Sequence, residues 1–136
     1  MQGRLLQIIL RVGGAVVLMA VFAIFMPTRW MAATNDWLGL EGFPASPLVD
    51  YLTRSLSMMY ALQGGLLILL SFDLRRYRPV LLYVSITTVV GGLLLTGIDL
   101  HAGLPLYWTL SEGPPVALLG LLLVWLVRRI PQPPLE

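Results

Sequence analysis

Five ionisable residues stand where chemistry would be out of the ordinary: Asp50, Arg54, Asp99, His101 and Glu112. They come from three separate stretches, and each lies within or beside a long apolar run. A charge placed inside an apolar span costs about 2.5–3.5 kcal/mol on insertion scales, so it tends to be paired or functional. One functional arrangement is a polar pocket with Arg54 as the single cation among carboxylates. In such a pocket Glu112 could serve as acid, base or cation ligand. The structural arrangement is an ion-pair network that ties helix ends together. Asp50 precedes Arg54 by four residues, the spacing of a helical ion pair, and Glu112 would cap a helix N-terminus. The structural arrangement is the stronger expectation, because networks of this kind also gather charge without doing chemistry. One histidine and scattered carboxylates match no metal-ligand spacing. With no cysteine in the chain, thiolate catalysis and Cys-ligated metal are excluded. No phosphate loop, nucleophile elbow or HExxH stretch occurs.

The elements that must position these groups are read from composition. Of 136 residues, 57% are hydrophobic and 12% charged, and the mean hydropathy is +0.82. A soluble domain carries about twice that charged fraction. The polar surface of a water-soluble globule is missing, so a lipid bilayer is the implied solvent. A helix needs roughly 20 apolar residues to cross the hydrocarbon. Four such stretches fit, at about residues 5–26, 47–72, 79–100 and 114–129, and they leave no room for a separate soluble domain. The expected fold is all-α: a single membrane domain, residues 1–136, built as an antiparallel bundle of four transmembrane helices. A short interfacial helix, about residues 28–38, lies between the first two spans.

Local signals refine these boundaries. The first apolar run continues through Ile24-Phe25-Met26 and is interrupted by Arg11, which favours a retained span over a cleaved signal peptide. Arg11 lies toward the cytoplasmic end of that span, from which it can snorkel. Thr28 is placed to cap the short helix and Gly39 to end it. Trp30, Met31, Trp37 and Leu38 recur at helical spacing, as in an interfacial anchor; a lid over a cavity is the alternative. Gly42 to Pro47 reads as a turn, with Ser46 as cap and Pro47 at the first helical position. Gly113-Pro114-Pro115 places the start of the last regular span near Pro114, after an interfacial lead-in over Leu104 to Leu110. A continuous helix through the prolines is the alternative.

Two stripes orient the middle spans. Asp50, Arg54, Ser57, Ala61 and Gly64 share one helical face, as do Ser85, Thr88, Gly92, Thr96 and Asp99. In a bilayer, small and polar faces turn inward, so the two stripes are expected to face each other or a shared interior. Tyr60 and Gln63 lie mid-span and fit hydrogen bonding between helices better than ligand binding, and Met58-Met59 fits packing. All nine basic residues are arginine. Arg4 and Arg11, then Arg75, Arg76 and Arg78, then Arg128 and Arg129 fall on one side of a four-span chain. By the positive-inside rule both termini are cytoplasmic. The formal charge of +2 is therefore topological, and no basic face for nucleic acid is present. A shift of 78 residues lays Val12-Gly13-Gly14 on Val90-Gly91-Gly92, Pro27 on Pro105 and Trp30 on Trp108. This is the pattern two duplicated hairpins would leave, although such residues recur in membrane helices generally.

The early Arg11-Val12-Gly13-Gly14, the four short spans and the aromatic outer loop rich in Gly and Pro resemble the DoxX-like group of small bacterial membrane proteins. Tyr51-Leu52-Thr53-Arg54-Ser55-Leu56-Ser57, Asp73-Leu74-Arg75-Arg76-Tyr77-Arg78-Pro79 and Gly97-Ile98-Asp99-Leu100 are similar to stretches of other bacterial four-span proteins. The likeness covers most of the chain in layout and rests on no diagnostic motif. It implies a bacterial cytoplasmic membrane and an accessory role beside membrane redox systems. Haem is not implied, since one histidine and no cysteine cannot hold it in the usual ways. The function expected is that of a small non-catalytic membrane subunit, packed with a larger complex or with itself. It has no cofactor of its own beyond a lipid or quinone held in the bundle. The alternative is a small oligomeric transporter or channel whose outward-facing site is built on Arg54, Asp99 and Glu112. A membrane enzyme using Glu112 and Asp99 ranks third.

Overall fold

The structure, a computed structural model, describes residues 2–39, 42 and 46–131. All regular structure among these residues is helical: α1 (Gln2–Leu18), α2 (Val21–Ile24), α3 (Thr28–Trp37), α4 (Pro47–Leu70), α5 (Arg78–Ala102) and α6 (Leu106–Arg128). Three stretches are long and apolar enough to cross a membrane: Gly3–Ile24, Arg78–Ala102 and Leu106–Arg128. The first joins α1 to α2 across a tight turn at Met19-Ala20. At 24 residues α4 has the length of a span, about 36 Å at 1.5 Å per residue. Its first half carries Asp50, Arg54 and Ser57, which dilute its hydropathy. Much of the turn from Gly42 to Pro47, and the tail beyond Pro131, lie outside the described residues.

The chain divides into two compact units. One comprises residues 1–8 with 70–136, the other residues 9–69. The first is built on the antiparallel hairpin of α5 and α6. Its corner is closed by Gly103 in the left-handed conformation, φ 71°. The Gly103 N–H donates to Leu100 O and the Leu104 N–H to Asp99 O, the bond pair of a Schellman ending. Pro105 follows and starts α6 with an extended ψ of 140°. The two helices meet at a seam of small residues. A Cβ built on Gly92 would fall 2.7 Å from Gly113 O, and one on Gly120 2.6 Å from Val89 N, so the backbones are in direct contact there. Ser85, Gly92 and Asp99 are buried on α5, with Thr109, Gly113, Ala117 and Gly120 on α6. The large aliphatics point the other way: Leu93, Leu94 and Leu118 are each more than 60% exposed. Small and polar residues inside with leucine outside is the arrangement of helices solvated by lipid.

α6 corrects the expected span of 114–129. It is already helical from Leu106 and runs through Pro114 and Pro115 without a break. Two circumstances make this possible. Gly113 has no Cβ to collide with the ring of Pro114, and spanning helices tolerate proline because packing and side chains compensate the lost bonds. Glu112 therefore lies inside a helix and is not its cap.

In the second unit α1 and α4 also meet at glycine. A Cβ on Gly14 would lie 2.8 Å from Gly64 O, and one on Gly64 2.6 Å from Gly14 O. Ser57, Ala61 and Gly64 are buried, as their stripe on α4 requires. The cap expected at Thr28 is corrected. Pro27 is the N-cap residue of α3, and no side chain caps that end. Gly39 ends α3 with φ 71°. Met31 is buried, whereas Trp30 and Trp37 are exposed, so the two tryptophans face whatever solvates the helix.

Candidate functional site

Asp50 and Arg54 are brought together at the start of α4. Ser46 begins the helix, its hydroxyl accepting from the Val49 N–H at 3.4 Å, with Pro47 as the first helical residue. Asp50 then falls in the first turn, where a carboxylate is favoured by the exposed N–H groups. One turn later the Arg54 guanidinium grips both its oxygens: Nε donates to Oδ2 at 2.9 Å and Nη2 to Oδ1 at 3.0 Å. Nη2 also donates to Met26 O at 3.1 Å, and Nη1 donates to Ile24 O. These carbonyls sit where the first apolar stretch ends and have no further helix to bond to. Asp50 Oδ1 accepts in addition from the Thr28 hydroxyl at 3.2 Å. Arg54 is thus a clamp that holds the end of α2 and the start of α3 against α4. Four hydrogen bonds to protein groups leave its five N–H donors largely committed.

The other three candidates belong to the hairpin unit, in three different situations. Asp99 is buried at 4% exposure, and its Oδ2 has no hydrogen-bond partner among the described residues. Thr109, 1% exposed, likewise has a buried hydroxyl without a partner. The seam pairs position 96 with 113 and position 92 with 117, and continuing that register places Asp99 and Thr109 at one level of the hairpin. His101 is exposed in the last turn of α5. Glu112 accepts a hydrogen bond from the Trp108 indole, Nε1 to Oε2 at 2.7 Å, one turn along α6. Among the described residues no group of three or more His, Cys, Asp or Glu is placed to hold a metal ion.

The opposite end of the hairpin unit carries a half-open cleft of about 360 Å³, lined by Gly3 and Gln7 of α1, Leu74 and Arg75 of the α4–α5 turn, and Arg129 and Ile130 beyond α6. Gln7 donates to Ser71 O at 3.3 Å, pinning the start of α1 to that turn. The Arg129 guanidinium lies 4.1 Å over the Trp125 ring. Sequence reasoning treated these arginines as topology signals only. It also missed the bond from Thr28 to Asp50 and the carbonyls of Ile24 and Met26, for which no local pattern exists. The Trp108–Glu112 pair could have been found from its four-residue spacing.

No family model, curated protein or solved structure matches the chain.

Proposed function

We propose that this chain is a small, non-catalytic integral membrane subunit of a bacterial cytoplasmic membrane. It forms one membrane domain of four antiparallel spans, with α3 at the interface and both termini cytoplasmic, as in the DoxX-like proteins it resembles. It packs against a larger membrane complex or against copies of itself, with room for a lipid or quinone among its helices. One observation carries this reading: Arg54 and Glu112, two of the groups a site would need, are engaged in bonds within the protein, and those of Arg54 tie separate segments together. Arg54 is committed to Asp50 and to two carbonyls, and Glu112 to Trp108. The same clamp supports a membrane crossing by α4, because pairing reduces the penalty for its one buried-side cation.

A small oligomeric transporter or channel is the second reading, and Asp99 favours it. A buried carboxylate oxygen with no partner is a place for a cation or a proton. Gentle detergent purification of the chain from its native membrane, with composition read on the intact particle, separates the two. A larger polypeptide in fixed ratio, and full assembly by the Glu112→Gln variant, is the expected result. A particle of this chain alone that moves solute in liposomes, and ceases to on Asp99→Asn, would establish the transporter instead.

A further inference from the structure

We propose that the cleft at the basic end of the hairpin unit binds the phosphate headgroup of an anionic phospholipid. Arg75 comes from the α4–α5 turn and Arg129 from the end of α6, yet both line one cleft with Gln7 of α1. Among the described residues neither arginine takes part in an ion pair. Asp73, the nearest acidic residue in the chain, uses one oxygen to accept from the Arg76 N–H. The Arg129 guanidinium lies 4.1 Å over the Trp125 ring, a contact that engages its π-face and leaves N–H donors for phosphate oxygens. The volume falls in the range of small-ligand pockets, about 300–1,000 Å³.

The rest of the lining selects a lipid over a free anion. Leu74 and Ile130 give the cleft an apolar wall. It opens where two long apolar helices begin and end, at the start of α5 and the end of α6. A headgroup held there leaves its acyl chains along the exposed leucines of those helices. Basic pockets between spans on the cytoplasmic side take anionic headgroups for this reason. The site deepens the membrane-subunit reading and rests on it.

The test uses the full chain in neutral detergent, stripped of lipid and titrated with phosphatidylglycerol or phosphatidylcholine. Bound lipid is counted by native mass spectrometry. One phosphatidylglycerol per chain is expected at concentrations where phosphatidylcholine does not bind. The double variant Arg75→Gln/Arg129→Gln should weaken it at least about 100-fold, because each arginine loses a direct charge-assisted hydrogen bond to the phosphate. Arg76→Gln/Arg128→Gln removes the same charge from residues outside the cleft and should weaken it no more than about 30-fold, the general contribution of two surface arginines. Both pairs are exposed, so folding is spared. Equal weakening in the two doubles, equal binding of phosphatidylcholine, or displacement by millimolar inorganic phosphate would overturn the proposal. Extraction of the chain from membranes by alkaline carbonate would sink the membrane reading together with the site. Carbonate-resistant insertion without lipid selectivity would sink the site alone.

Discussion

Gly91 and Gly92 are chain neighbours with opposite surroundings, which makes them a sharp test of the α5–α6 seam. A Cβ on Gly91 would meet nothing within 4 Å. A Cβ on Gly92 would lie 2.7 Å from Gly113 O and 2.8 Å from Ala117 Cα, with Ala117 N nearer still. Alanine at either position gains the same helix propensity, about 0.8–1.0 kcal/mol over glycine. That gain cancels in the difference between the two variants, leaving the steric contribution. To restore ordinary contact at 3.4 Å the helices must part by about 1 Å at Gly92, where Ala117 N is the nearest atom. Overpacking of that kind costs about 1–3 kcal/mol, and backbone neighbours yield less than side chains do. Gly92→Ala should therefore be about 1–3 kcal/mol less stable than Gly91→Ala. Unfolding in mixed micelles, followed by far-ultraviolet circular dichroism, reads the difference directly. Equal midpoints, or a more stable Gly92→Ala, would show that the two backbones do not touch.

Arg54→Lys keeps the charge but cannot make the forked contacts, so amide exchange should quicken from about Ile24 to Met31 while α5 and α6 stay protected; unchanged exchange would mean the clamp is not formed. Trp108→Phe should cost about 1 kcal/mol and Glu112→Gln less. A double-mutant cycle between Trp108→Phe and Glu112→Leu should give a coupling of about 0.5–1.5 kcal/mol, and zero coupling would deny the hydrogen bond.

How much of this was legible in the sequence depends on the distance over which each feature is encoded. Ser46-Pro47 and Gly39 act on their own backbones, and each was readable from residue type. The stripe through Ser85, Gly92 and Asp99 was readable because, in a chain this apolar, small and polar residues have only one direction to face. The Pro114-Pro115 pair misled. Proline's local rule says that a helix starts there, but packing along Gly113, Ala117 and Gly120 holds the helix through it. The partners of Arg54 were out of reach, since Ile24 and Met26 offer backbone oxygens that no side-chain pattern announces. The cleft was hidden for a related reason: three stretches far apart in the chain converge on it, and each alone looked like a topology signal.

The central claim is that α4 crosses the bilayer, so that polar groups at its start act as clamps on one side and the arginine clusters gather on the other. The chain has no cysteine, so single-cysteine labelling needs no altered background. Gly3→Cys and Arg76→Cys should react with an impermeant maleimide only from the cytoplasmic face, and Gly42→Cys and His101→Cys only from the opposite face. Labelling of Gly42→Cys and Arg76→Cys from the same face would contradict the four-span account.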